Sequence, residues 1–282
     1  MQNVIFPMMT TGMHWVVGWL QTNYMKKLEV GMKKRTVMGK QLLVIGCGFV
    51  GETVAQSLEE DDVVVVRIDP KYNDNKISDY EGNIAGAIVA VPTPTVNGVC
   101  DDSAIREVLE QLGDVPVLLK CTVPPNMLET YPDNVTYNPE FLRAKTAKED
   151  FDNQEIFILG GTQMNCYFWE MVFSYMNVEF IKTDRTTASM VKYVHNTWLS
   201  IKVAFFHELM YNNGSKYNHS EMIDILAKFE NIGPSHMKAP NDVGGYGFEG
   251  HCFPKDTEAF LDFTDSEILR KVIEVNNKLR KA

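Results

Sequence analysis

The chain has 282 residues, of which 45% are hydrophobic and 23% are charged, and its formal net charge is −10. This composition is typical of a soluble globular protein with one large domain or two smaller ones. The negative charge argues against general nucleic-acid binding, because little is left to neutralise a phosphate backbone. The five cysteines are scattered, without a Cys-x-x-Cys pair or a Cys/His spacing for zinc. We therefore expect free thiols, no metal site and a reducing, cytoplasmic location.

Residues 1–37 form an N-terminal extension of uncertain structure. The apolar run at 4–20 is interrupted by Pro7 and Gly12, so it is too short and too mixed to predict a membrane-spanning helix. It also lacks the positively charged start of a secretory signal. Lysines follow the run, which leaves a weak membrane-surface element open as an alternative. A second alternative is that translation starts at Met32 or Met38, just before the first predicted strand.

The stretch from 41 to 69 predicts, in this order, a strand, a glycine loop, a helix and a second strand that is followed by an acidic residue. QLLVI at 41–45 predicts a buried strand, GCGFVG at 46–51 is a Gly-x-Gly-x-x-Gly pattern, and DVVVVRI at 62–68 predicts a second strand that ends at Asp69. In this order the pattern is the fingerprint of a dinucleotide-binding fold.

Each residue of the fingerprint has a physical reason to be there. Gly46 makes the turn, Gly48 admits the pyrophosphate and Gly51 lets the helix pack on the strand, while the helix N-terminus, starting near Phe49 and Val50, holds the phosphates. Asp69 would accept hydrogen bonds from the ribose hydroxyls and repel a 2′-phosphate. The sequence therefore predicts NAD rather than NADP.

The remaining elements divide into two domains. Further strands are predicted at 84–91, 115–120, 156–159 and 178–181, and helices at 103–112 and 163–174. These elements predict a doubly wound, Rossmann-like α/β domain at 38–183. From Thr186 the pattern changes to a helix of about 25 residues, and further helices are predicted at 221–229, 255–263 and 266–279. They predict an all-α domain at 184–282.

The loop GGYGFEGHCFPKD at 244–256 places one cysteine in an unusual setting. Pro254 suits the first turn of a helix, so Cys252 is expected near a helix N-terminus. There the helix dipole and a nearby lysine would favour the thiolate over the thiol. An isolated cysteine is more often a small buried hydrophobic residue, but the glycines and the following Lys255 and Asp256 favour a nucleophile.

Six motifs occur together in the chain: GCGFVG at 46–51, VPTP at 91–94, CTVPP at 121–125, NPEFLR at 138–143, the pair Lys192 and Asn196, and GFEGHCFPKD at 247–256. Over residues 41–280 they resemble the UDP-glucose/GDP-mannose dehydrogenase family, and within it the enzymes that act on UDP-glucose. The resemblance implies a homodimer whose dimer element is the long helix. It also implies the four-electron, NAD-dependent oxidation of the C6 alcohol of UDP-glucose to the carboxylate of UDP-glucuronate.

The resemblance also implies roles for the site residues. Cys252 would attack the aldehyde formed first, and the thiohemiacetal would be oxidised to a thioester that water hydrolyses. Lys192 and Asn196 would stabilise the oxyanion at C6. Asp256 would orient or deprotonate water or the alcohol, and Glu140 would assist hydrolysis.

Other positions match contacts of the family. Thr122 would hold a water molecule near the catalytic groups and Phe248 would pack against the sugar nucleotide. The cofactor contacts implied by the resemblance, beyond the fingerprint, are Pro92, Thr93, Thr122 and Lys255. The implied substrate contacts are Glu140, Phe141, Leu142, Lys192, Asn196, Phe248 and Gly250.

Four departures from the family pattern keep alternatives open. Glu249 replaces a glycine, Asn231 replaces a substrate-binding arginine, and the segment between Asp69 and Val91 is too short for the usual crossover helix and strand. The sequence also stops at Ala282, where the family continues into a nucleotide-binding domain. The alternatives are a dehydrogenase for UDP-N-acetylmannosamine or GDP-mannose, one for a smaller β-hydroxyacid, and an NAD-binding partner subunit with little activity.

Overall fold

A computed structural model describes residues 36–242, 244–250 and 252–281. The apolar run at 4–20, for which a membrane-surface element is an alternative, and the alternative start at Met32 lie outside the described residues. Across the described ranges, no helix combines the length and the apolar character needed to cross a membrane.

The described elements follow the predicted order along the chain. The strands are β1 Gln41–Ile45, β2 Val65–Ile68, β3 Ile84–Val89, β4 Thr95–Val96, β5 Val99–Cys100, β6 Val117–Leu119, β7 Val135–Tyr137, β8 Ile156–Gly160 and β9 Glu179–Thr183. The α-helices are α1 Phe49–Glu60, α2 Ser103–Leu112, α3 Pro125–Leu128, α4 Ala147–Asp152, α5 Gln163–Val172, α6 Arg185–Asn213, α7 His219–Leu226, α8 Cys252–Thr264 and α9 Glu267–Leu279.

A seven-stranded sheet with the order β2-β1-β3-β6-β7-β8-β9 forms the centre of the N-terminal part. Its neighbouring strands are parallel, except that β7 and β8 meet in one antiparallel pair, Tyr137 with Gly160. Because parallel strands end at a common edge, the loops after β1, β3, β6 and β7 lie there together. These loops carry the first four motifs. The predicted Rossmann-like fold is confirmed.

The first strand shows why the sequence reads as a continuous apolar run. Leu43 and Ile45 pack into one hydrophobic cluster, with Leu119, whereas Leu42 and Val44 pack into another on the opposite face. A strand buried on both faces needs apolar side chains at every position. The core therefore lies on both sides of the sheet, as in doubly wound folds.

The connection from β2 to β3 is as short as the sequence indicates. Between Ile68 and Ile84 it contains one 3₁₀ turn, Ile77–Tyr80. β3 pairs with β1 on the side away from β2, so the chain crosses the sheet without a full helix.

The C-terminal part is helical, as predicted, and begins two residues after β9 ends. α6 is 29 residues long, and the Asp184 carboxylate caps it by accepting the N–H of Thr187 at 2.7 Å. A Cβ at Gly160 would lie 2.6 Å from the Ala188 side chain, so the start of α6 packs tightly on β8. The division at 183/184 remains a prediction.

Candidate functional site

The glycine loop after β1 is shaped by close backbone packing. Gly46 has φ +88°, and a Cβ there would lie 2.6 Å from the carbonyl oxygen of Ala90. A Cβ at Gly51 would lie 1.9 Å from the carbonyl oxygen of Gly46, so only glycine lets α1 approach the loop this closely. By contrast, a Cβ at Gly48 would meet nothing within 4 Å, which leaves the outer side of the loop open to a ligand.

The N-terminus of α1 suits a diphosphate. Its N-cap is Gly48, and no side chain caps it, so the first N–H groups can point at an anion. The Asp69 carboxylate accepts the backbone N–H of Cys47 at 2.7 Å and that of Lys71 at 2.9 Å. This places the acid beside the glycine loop, where it could also accept ribose hydroxyls. The residues present fit NAD.

A cleft of about 360 Å³ lies between this loop and the start of α8. It brings together most of the predicted cofactor residues and three predicted catalytic ones. The predicted residues that line it are Gly48, Phe49, Val50, Pro92, Thr93, Thr122, Glu140, Cys252 and Lys255. The hydroxyl of Thr93 donates to the carbonyl oxygen of Thr122 at 3.0 Å, which ties the loop after β3 to the loop after β6.

Lys192 and Glu140 form a buried ion pair behind this cleft. The side chain of Lys192 is 3% exposed and that of Glu140 is 8% exposed, with 3.3 Å between Nζ and Oε1. The Lys192 ammonium also donates to the backbone carbonyl of Glu140. The other carboxylate oxygen accepts the N–H of Leu142 at 2.8 Å. Both polar partners are thus satisfied, as a buried charge requires.

Asn196, Asp256 and Lys255 form a second polar cluster. Asn196 Nδ2 donates to Asp256 Oδ2 at 2.6 Å, and Lys255 Nζ contacts Asp256 Oδ1 at 2.5 Å. Asp256 is 1% exposed. Because Lys192 and Asn196 are four residues apart on α6, they share one face of the helix. That face carries both clusters.

Cys252 is half-buried and is the first residue of α8, which begins three residues before the predicted start at Lys255. The predicted preference for the thiolate is wrong. Burial raises the pKa of the Cys252 thiol above its ordinary value, and the Asp256 and Glu140 carboxylates raise it further. Lys192 and Lys255 act in the opposite direction but do not overcome these effects. These surroundings therefore favour the thiol over the thiolate.

Four predicted substrate residues lie elsewhere. Phe141 lies edge-on to His195 at 4.9 Å between ring centroids, and Leu142 packs against the core. Phe248 is 3% exposed and lines a separate cavity of about 370 Å³, together with Glu249 and Phe253. Gly250 is exposed with φ +86° and lines neither cavity.

The two substituted positions also have defined surroundings. Glu249 lies 3.6 Å from the guanidinium of Arg280 and accepts a hydrogen bond from Asn241 at 3.3 Å. The charge of Glu249 is therefore partly neutralised by Arg280, which directly follows α9. Asn231 is exposed, and the carbonyl of the following Ile232 accepts a hydrogen bond from Lys202 at 2.9 Å.

Sequence reasoning missed two residues that hold the Cys252 loop. Asn276 accepts the N–H of Phe248 at 2.6 Å and donates to its carbonyl at 3.1 Å. His207 Nδ1 accepts the N–H of Gly247 at 2.9 Å, which leaves Nε2 to donate to the carbonyl of Lys238 at 2.8 Å. Neither residue belongs to a motif, so no signal in one sequence identifies them.

Sequence reasoning also missed Lys120, which lines the cleft. Its Nζ donates to Asn138 Oδ1 at 2.5 Å, and Asn138 in turn donates to the carbonyl of Ile158 at 2.7 Å. A lysine directly after the apolar strand β6 and directly before CTVPP was the available signal. A charged residue at the inner end of a buried strand is unusual.

Comparison with known proteins agrees with this geometry. Residues 186–278 match the model of the UDP-glucose/GDP-mannose dehydrogenase family, central domain. This match covers most of the helical part of the chain. The resemblance predicted from the six motifs is confirmed. UDP-glucose 6-dehydrogenase of Rickettsia conorii is 28% identical over 288 residues, which cover 93% of this chain and 63% of that relative.

Solved structures show the same fold. A UDP-glucose dehydrogenase from the hyperthermophilic archaeon Pyrobaculum islandicum superposes with a TM-score of 0.76 at 22% identity, covering 88% of this chain and 70% of that one. A UDP-D-ManNAc dehydrogenase from Pyrococcus horikoshii gives a TM-score of 0.72 at 19% identity, covering 85% and 68%. The chain spans less than two thirds of the length of the curated relatives it matches, 63% and 59% for two of them.

Proposed function

We propose that this chain is an NAD-dependent nucleotide-sugar dehydrogenase that oxidises the C6 alcohol of UDP-glucose to a carboxylate through a Cys252 thioester. The observation that supports this proposal most directly is that Cys252 and Glu140 both line the cleft. The other end of this cleft is formed by the glycine loop. A cysteine is not needed for a two-electron alcohol oxidation, whereas a thioester is the natural route from an aldehyde to a carboxylate. This favours the four-electron reaction over oxidation of a small β-hydroxyacid.

The first oxidation requires a base and a stabilised oxyanion. NAD⁺ bound at the glycine loop would accept a hydride in each of the two oxidation steps. The alcohol proton would pass to Asp256, either directly or through water, because this carboxylate is held in place by Asn196 and Lys255. The Lys192 ammonium would stabilise the developing alkoxide by exchanging its contact with Glu140 for one with the substrate oxygen.

The second half of the reaction uses Cys252. Asp256, which lies one helical turn further along α8, would first release the alcohol proton to solvent and would then accept the thiol proton of Cys252. The sulfur would then add to the aldehyde carbon, and loss of hydride from the thiohemiacetal would leave a thioester. Water would attack the thioester carbon while Glu140 takes up its proton, and the C–S bond would break to release the carboxylate and the cysteine.

The surface of α6 supports a homodimer as the assembly. Val191, Val194, Trp198 and Phe205 recur at helical spacing and are 41%, 50%, 58% and 58% exposed. Such a stripe would be buried by a second copy. Light scattering of the unmodified protein at micromolar concentration should give twice the mass of one chain. The double variant Trp198→Glu, Phe205→Glu should give the mass of one chain. A monomeric unmodified protein would contradict the dimer.

The choice of nucleotide sugar rests on names of relatives. Sequence relatives that cover most of this chain are UDP-glucose 6-dehydrogenases, whereas the structural neighbours include enzymes for UDP-N-acetylmannosamine and GDP-mannose. UDP-glucose is therefore the first substrate to test, and the other two are the alternatives.

The test is NADH formation by the purified protein with NAD⁺ and each of the three nucleotide sugars. We expect two NADH per UDP-glucose and none with Cys252→Ala. One NADH per sugar would refute the thioester route. No turnover with any sugar, despite NAD binding, would instead support the alternative of a partner subunit with little activity.

A further inference from the structure

Lys120 is the cation of the cleft that has no carboxylate partner. Two other lysines near Cys252 are paired, Lys192 with Glu140 and Lys255 with Asp256. Within the described residues, no carboxylate lies within ion-pairing distance of Lys120, whose hydrogen-bond partner is the neutral amide of Asn138.

Lys120 is buried beside two aromatic rings, and that amide is its hydrogen-bond partner. Its side chain is 4% exposed, and its Nζ lies 5.7 Å and 5.5 Å from the ring centroids of Phe151 and Phe157. Such contacts stabilise a cation less than water does. Keeping Lys120 protonated therefore costs free energy. A second cation nearby would increase that cost.

NAD carries a positive charge on its nicotinamide ring in one redox state only. The nicotinamide ring of NAD⁺ is cationic, and that of NADH is neutral. To react at a carbon bonded to Cys252, the ring must enter the cleft that Lys120 also lines. A cavity of 360 Å³ is about 9 Å across if roughly spherical. At that separation and an effective dielectric constant of about 20, two unit charges repel enough to change an equilibrium constant roughly twentyfold.

We propose that Lys120 couples cofactor binding to proton exchange: it gives up its proton to solvent when NAD⁺ binds and keeps it when NADH binds. This proposal rests on the proposed function, because it requires NAD in this cleft. It assigns Lys120 a role in discriminating the two redox states, separate from the hydrolysis assigned to Glu140. Oxidation of substrate converts the ring to its neutral form, so the Lys120 amine then takes a proton back from solvent.

The titration range of Lys120 makes the exchange measurable. Burial lowers the pKa of the Lys120 ammonium to about 8, with the Glu140 carboxylate acting against this shift and Lys192 adding to it. Burial also raises the pKa of the neighbouring Cys121 thiol to about 12, so Cys121 stays uncharged in this range. Lys255 and Cys252 face the same cleft. A Cys252 thiolate would also strengthen NAD⁺ binding at high pH, so the test uses Cys252→Ala.

The experiment measures dissociation constants of NAD⁺ and NADH at pH 7 and pH 9.5. In Cys252→Ala, the NAD⁺ constant should fall roughly tenfold over this range, and the NADH constant should change by less than about twofold. Adding Lys120→Met, which is neutral throughout, should make NAD⁺ binding tight and independent of pH. Adding Lys120→Arg, which stays charged, should make it weak and independent of pH. The control Lys40→Met removes an exposed lysine outside the cleft and should keep the tenfold change.

A second measurement needs no substitution at Lys120. Calorimetric titrations in buffers with different ionisation enthalpies should show that NAD⁺ binding at pH 7 releases part of a proton, whereas NADH binding releases none. Equal proton release with both cofactors, or NAD⁺ affinity that does not depend on pH, would overturn the proposal alone. If neither cofactor binds, both this proposal and the proposed function fail.

Discussion

The buried pair of Lys192 and Glu140 gives the sharpest test of the site's energetics. Both side chains are less than one tenth exposed, and the amine is 3.3 Å from the carboxylate. Replacing Lys192 by Met leaves the Glu140 carboxylate buried without its main countercharge. Removing one partner of a buried pair typically costs about 3–5 kcal/mol. We expect the lower end, about 3 kcal/mol, because Leu142 still donates to Glu140.

The double variant separates an unpaired charge from lost packing. Lys192→Met with Glu140→Gln removes both charges and keeps the side-chain volumes, so it should recover most of the lost stability. Urea unfolding measures the free energies, and for a chain of this size about 3 kcal/mol corresponds to a fall in melting temperature of roughly 6 °C. If the single variant costs less than about 1 kcal/mol, or if the double variant is as unstable as the sum of the singles, the carboxylate is not held by this lysine.

Three further predictions concern neighbouring features. Burial holds the pKa of His207 below 6.5 in the folded protein, so the unfolded chain binds the proton first as the pH falls. The stability that His207 contributes above pH 6.5 should therefore be lost below it, and the urea midpoint of His207→Gln should fall less between pH 8 and pH 5.5. Because a Cβ at Gly51 would lie 1.9 Å from a backbone oxygen, Gly51→Ala should cost more than about 3 kcal/mol of unfolding free energy, and a smaller loss would contradict the packing. Since burial raises the pKa of the Cys252 thiol, iodoacetamide should alkylate Cys252 at pH 7 more slowly than it alkylates free cysteine, and faster labelling would show that a thiolate is present.

The sequence was informative where one local rule determines the structure. β1 spans 41–45 as predicted, because a strand buried on both faces must be apolar throughout. Pro254, which fits a first helical turn, correctly predicted that Cys252 lies at a helix N-terminus, although α8 begins three residues before the predicted start at Lys255.

The sequence was less informative where distant groups meet. The charge state of Cys252 was predicted wrongly, because the helix dipole and lysines are visible in the local sequence but burial and the Glu140 carboxylate are not. Lys120 was missed for the same reason: its surroundings come from strands far apart in the chain. Whether Phe248 contacts substrate stays a prediction, since it lines another cavity.

The long helix α6 connects two surfaces that would otherwise be independent. Lys192 and Asn196 point inward from it, while Val191, Val194 and Trp198 are exposed on its outer side. From Arg185 to Asn213 the helix contains neither glycine nor proline, so nothing in it favours a kink. A displacement imposed on the outer stripe would move the inner amine by a similar distance. The helix would therefore transmit a displacement from its outer surface to the reacting groups as a rigid body. A molecule that covers the outer side would thereby change the alignment of those groups.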